Sequence, residues 1–179
     1  MADILDMQQQ RRRLAASRGF ATWSRRFSTS FDDWTTLTDL DDNLLRVLIQ
    51  GNHASSLLLH QLIMGVLKLG KRTCFDDLES PVKLVVMDIG LFLLDQLRFE
   101  VMRRLGWVEP TPFASIPAVD LIENFTARYA PMRTQTPQLL RQHPRYREYQ
   151  EVFEPDRAVF VRRLIPEAIE QFEEEPEGA

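Results

Sequence analysis

Phe20, Trp23, Phe27, Phe31 and Trp34 recur at spacings of three and four residues. At about 100° per residue these five rings fall within roughly an 80° arc of a helix, whereas a strand would scatter them over both faces. The spacing predicts a strongly amphipathic helix over 20–34, or two short ones, with Arg25 and Arg26 off the stripe. Ser28, Thr29 and Ser30 weaken its intrinsic propensity, so it needs a surface to pack on.

Elsewhere the apolar pattern is also helical. Residues 4–18 form a polar helix with little apolar face, Asp3 as its N-cap and Gly19 past its end. Thr38 and Asp41 resemble a capping box for a helix that Gly51 stops, its buried face supplied by Leu40, Leu44, Leu45, Val47, Leu48 and Ile49. In 52–69 apolar side chains go almost all the way round, as in a central helix; Asn52 caps it and Gly70 closes it. A long helix follows over 81–105, with Ser80 as N-cap, Pro81 at N1 and Gly106 at C′. It is about 37 Å long at 1.5 Å per residue. Asp88 and Gly90 interrupt its apolar run, which is too short and polar for a span of about 20 residues, so no transmembrane segment is expected. Beyond Gly106 prolines punctuate shorter pieces, about 116–129, 137–143, 145–153 and 155–175, the last split at Pro166. No β-alternation, repeat or Gly-rich linker is present.

The fold class that follows is all-α: a single-domain helical bundle with a central antiparallel hairpin of 52–69 and 81–105 and Pro-punctuated C-terminal helices. At 179 residues one domain is expected, able to bury a core without disulfides or metal. Its bounds are 19–172, preceded by a polar segment 1–18, whose helix has too little apolar face to escape fraying or disorder, and followed by a disordered acidic tail 173–179.

Charge changes this picture only at the ends. The net charge is −4, against general nucleic-acid binding. Residues 1–31 carry six arginines and two aspartates, a net of +4, whereas 167–179 carry six glutamates and no base. The ends could pair with each other or stand solvated. RRRLAASRGFATWSRRFSTS is basic, Ser-rich and free of acids, like an organellar presequence, but Asp3 and Asp6 ahead of it argue against that, and no secretory signal is expected. A lone cysteine, Cys74, fits a reducing, cytoplasmic location and a plain structural role.

One constellation has chemical potential. His53 and His60 are seven apart on one helix of the hairpin, and Asp88 and Asp95 are seven apart on the other. Antiparallel packing brings together residues of constant summed number, and His53 with Asp95 and His60 with Asp88 both give 148. Two stacked His–Asp contacts are therefore expected, about 10 Å apart. An aspartate that orients an imidazole recurs in catalytic and ligand sites and titrates near neutrality. The two layers lie too far apart to share one tetrahedral metal, so no metal or cofactor is implied. A structural role at the helix interface is the plainer reading. G-x-S-x-G, G-x-G-x-x-G and P-loop patterns are absent. His143, beside Pro144 in a basic stretch, is expected to be exposed. Arg141, Arg145 and Arg147 alternate with Tyr146 and Tyr149, as in nucleic-acid-stacking surfaces, but Glu148, Glu151 and Glu154 follow at once.

Three functions remain. The first is a non-catalytic interaction or assembly protein that docks a protein partner or another copy through Phe20, Trp23, Phe27, Phe31, Trp34, Arg25 and Arg26, as amphipathic helices fill grooves. The second is a small-ligand or metal-binding protein using His53, His60, Asp88 and Asp95. The third is a nucleic-acid-associated regulator using the arginine clusters. The missing catalytic motifs favour the first, without excluding an enzyme.

Overall fold

The computed structural model of the chain describes residues 2–70 and 74–175. Among them all regular structure is helical: α1 (Ala2–Gly19), α2 (Ala21–Phe27), α3 (Asp42–Leu48), α4 (His53–Val66), α5 (Ser80–Arg104), α6 (Ala118–Glu123), α7 (Tyr146–Glu151), α8 (Arg157–Arg163) and α9 (Ile165–Glu174), with short 3-10 turns between them. The protein is all-α. Helix α4 lies in the middle, with α1, α2, α3, α5 and α6 against it. Its buried Leu58, Leu59, Leu62 and Ile63 join residues of these helices in one core.

Helix ends follow local chemistry. The Asp41 side chain accepts a hydrogen bond from Leu44 N at 2.8 Å and Asn52 accepts from Ser55 N at 2.9 Å, so each caps the helix behind it. Asp41 is thus the cap of α3 itself, not the third residue of a box begun by Thr38. Helix α5 begins with Glu79 as N-cap, one residue before Ser80, and Pro81 in its first turn. It ends in a Schellman motif: Trp107 N donates to Met102 O and Gly106 N to Arg103 O, with Gly106 at φ 77°. Helix α4 ends the same way, but Lys68 at φ 59° takes the left-handed position expected two residues later at Gly70.

Helices α1 and α4 cross with their backbones in contact. A Cβ on Gly65 would lie 2.7 Å from Gly19 Cα and from Arg18 O, so only glycine fits there. Arg18 reaches past the crossing and donates to Gly65 O at 3.0 Å and Val66 O at 3.3 Å, satisfying carbonyls at the end of α4. The N-terminal segment is therefore a helix whose last turns, with Ala15 and Ala16 buried, belong to the core.

A second core cluster sits at the far end of α5, where Phe99 and Met102 meet Trp107, Val108, Leu139, Tyr149, Val161, Leu164, Ile165 and Ala168. Here the helix expected over 137–143 is replaced by extended chain to Leu140 and a turn beyond it. Leu139 bridges Val108, and Leu140 N donates to Trp107 O at 2.8 Å, so edge pairing takes the backbone bonds a helix would have used. The piece at 116–129 is helical only to Glu123 and widens into a π-helical turn over Phe125–Tyr129, which brings the Tyr129 hydroxyl to donate to Asp120 at 3.1 Å. The last segment divides at Pro166 into α8 and α9 as its sequence predicts. Glu173 and Glu174 of the acidic tail are the last turn of α9; residues 176–179 lie outside the described residues.

Between the two clusters Glu100, 4% exposed, accepts from Arg103 and Arg104, and Arg104 continues to Asp42 at 2.7 Å and to the carbonyls of Thr38 and Leu40. A buried carboxylate is thus paired and tied to the start of α3.

Candidate functional site

The aromatic stripe is mostly core, which corrects its expected role as a docking surface. Phe20 and Trp23 are fully buried, and Trp23 donates its indole N–H to Leu58 O at 3.0 Å. Helix α2 stops at Phe27 because Ser28 takes a left-handed conformation at φ 50°. The chain then folds back, and Phe31 stacks on Phe20 with ring centroids 4.8 Å apart. Phe27 and Phe31 pack on the core from its edge. Of the five rings only Trp34 is largely open, at 58% exposure, and the Arg12 guanidinium sits 4.8 Å over it. Arg25 and Arg26 face solvent, with Arg26 over the Phe27 ring.

The His–Asp pairs do not form. Helices α4 and α5 pack with Gly90, not Asp88, beside His60: a Cβ on Gly90 would sit 3.4 Å from the imidazole. The imidazole lies against α5 at Gly90 and stacks on Phe75 with ring centroids 4.2 Å apart. Two residues of register rotate a helix by about 200°, which turns Asp88 and Asp95 to a different flank. There Asp95 is bound by Arg162 of α8 at 2.6 Å, and Asp88 lies exposed in the same groove. His53 is exposed at the start of α4. The four residues are not assembled into one site. Among the described residues no group of three or more His, Cys, Asp or Glu side chains is placed to hold a metal.

His143 is buried, not exposed: Trp107 meets it edge-on at 5.0 Å and its Nδ1 accepts from Arg145 N at 3.1 Å. Burial lowers its pKa, and burial likewise lowers that of His60. The basic–aromatic stretch around it is folded onto the second cluster. Tyr149 is buried, Arg157 covers its ring, and Arg145 pairs with Glu148 while lying over Phe160. Tyr146 is half-buried against the same cluster and tilted to Tyr149 at 6.0 Å, so the two tyrosines do not form an open stacking row.

The open apolar surface lies instead on the N-terminal half of α5. Leu84 and Leu91 are each 62% exposed, Met87 is exposed between them and Leu94 is half-buried beyond. Their spacing of three, four and three is that of a and d positions in a helix–helix seam. Beside the seam is a slot of about 170 Å³ between Leu59, His60 and Phe75 on one side and Met87, Gly90 and Leu91 on the other. The sequence holds the seam in plain view. Yet α5 is apolar on more than one face, with Val86, Ile89, Leu93 and Leu97 buried, and spacing alone does not say which face meets the core.

Among the described residues no helix is long and apolar enough to cross a membrane. Compared with protein-family models, with curated proteins and with solved structures, the chain matches none.

Proposed function

We propose that this chain is a non-catalytic helical assembly protein whose docking element is the open face of α5, and that the occupant of that face is a second copy. The observation that carries the reading is the seam of Leu84, Met87, Leu91 and Leu94, left open on the long helix. A twofold interface must be self-complementary. An antiparallel pairing about residue 89 sets Leu84 against Leu94 of the second copy and Met87 against Leu91, so all four positions find an apolar partner. The second copy's Leu84 and Met87 then arrive at the mouth of the slot beside Leu91 and Leu94. Asp88 flanks the axis, so the two copies bring like charges near each other.

The test is solution mass by light scattering up to on the order of 100 µM, a range suited to weak association. The intact chain is expected to approach a dimer as concentration rises, more completely at raised salt, because salt screens the Asp88 pair. Leu84→Glu with Leu91→Glu is expected to remain monomeric with unchanged helicity, since both side chains are surface-exposed. A monomer throughout, or a dimer indifferent to both substitutions, overturns the reading.

A further inference from the structure

The slot between α4 and α5 measures about 170 Å³. An apolar cavity of about 150 Å³ takes up benzene, so the space suits a single ring. One wall is aromatic: the His60 imidazole and the Phe75 ring are stacked, 21° from parallel. The wall from α5 is Met87 and Leu91, apolar and exposed, so the slot is open to solvent on that side. A thioether such as that of Met87 attracts an aromatic ring beside it. Gly90 also lines the slot, and a methyl group there would stand 3.4 Å from the imidazole and take up part of the space.

Two polar groups converge on this apolar space. Ser56 and His60 both line it, and at four residues apart they share a face of α4. Among the described residues neither side chain makes a hydrogen bond. Both are half-buried, and none of their polar atoms is sealed from outside, so a molecule in the slot reaches them. Burial lowers the His60 pKa, so near pH 7 its imidazole is neutral, one nitrogen accepting and the other donating. The Ser56 hydroxyl does either. An apolar pocket with a few convergent polar groups is the usual form of a small-molecule site.

We infer that the slot between α4 and α5 binds a small, flat, single-ring aromatic molecule carrying one hydroxyl or N–H group, its ring beside Phe75 and Met87 and its polar group on His60 and Ser56. The inference does not rest on the pairing of α5 with a second copy, because Leu84, the first residue of the seam, is not part of the slot wall.

Two-dimensional NMR titration of the full chain with phenol, toluene and cyclohexanol tests it. Phenol is expected to shift the amides of 56–60, 75 and 87–94 and to leave those of the second core cluster in place. Toluene, flat but without the hydroxyl, should bind about threefold less tightly or weaker still, the worth of one net hydrogen bond. Cyclohexanol, which has the hydroxyl but is not flat, should also bind less tightly than phenol. His60→Phe keeps a ring on Phe75 and removes both nitrogens; it should bring phenol down to the affinity of toluene and leave toluene unchanged. Gly90→Ala, a substitution a helix accepts, should weaken phenol and toluene alike. Leu84→Glu should leave all of this unchanged even where it abolishes self-association, so that a failure of the pairing and a failure of the slot are read separately. No localised shift with phenol, equal affinity for the three probes, or binding indifferent to both His60→Phe and Gly90→Ala overturns the inference.

Discussion

His60 and His143 are two imidazoles held in apolar surroundings, and both have their pKa lowered by burial. For His143 the nearby Glu167 partly opposes this and Arg145 adds to it. The folded chain therefore prefers them neutral, while the unfolded chain takes up their protons near the ordinary value of about 6.5. Between the lowered folded values and that value the unfolded state binds more protons, so stability is full above about pH 7 and declines as pH falls through about 6.5. Glu123 acts in the opposite sense, since burial raises its carboxyl, Arg12 opposing, but it does so from the carboxylate side of the scale. Urea unfolding at pH 7.5 and 5.5, compared with His60→Gln/His143→Gln, isolates the effect. The native chain should lose stability on acidification relative to that variant. Equal losses in both would contradict the account.

The positions where sequence reasoning succeeds at this scale are those where one residue decides by its own chemistry. Asn52 as a cap, Pro81 in a first turn and Gly106 at a helix end need only local bonds. His60 and Asp88 fail because their meeting depended on the register in which α4 and α5 pack, which puts Gly90 rather than Asp88 beside His60 and which no local rule supplies.

At the scale of elements, the period of the apolar positions finds the helices but not where they stop. The five-ring stripe is real as a pattern, and three of its rings do cluster, yet Ser28 breaks the helix between them and the cluster forms across a turn. The residues 137–143 read as a helix until Val108 offers a bridge to Leu139. Segment 2–19 looked too polar to be held, because its packing uses small residues, Ala15, Ala16 and Gly19, which hydrophobic patterning undervalues. That mode of packing yields a sharp expectation. Gly65→Ala would place a methyl group 2.7 Å from backbone atoms of Arg18 and Gly19, which cannot rotate away. Overpacking of this kind costs about 1–3 kcal/mol, to be read from the shift in urea midpoint at constant m-value. A variant as stable as the parent would mean that α1 does not sit on α4 in this way.

For the whole molecule, an all-α single domain was legible because helical periodicity dominates and β-alternation is missing. Which surface stays open was not, since that depends on how many neighbours each face of α5 acquires. Its C-terminal half is enclosed, with Phe99, Glu100, Val101 and Met102 all buried, while Leu84 and Leu91 are left uncovered. The assembly reading therefore moves from the aromatic segment, which the fold consumes, to a helix that looked like ordinary core.

Pulsed electron-spin distances between copies test that reading most directly. With Cys74→Ser as background, a label is placed at Asp88→Cys or at Pro81→Cys, both exposed positions on α5. In the antiparallel pairing about residue 89, the two copies of position 88 are offset along the helices by only about 3 Å, and those of position 81 by about 24 Å. The account predicts a short distance for the first and a clearly longer one for the second. Equal distances at the two positions, or no defined distance between copies at either, would contradict it.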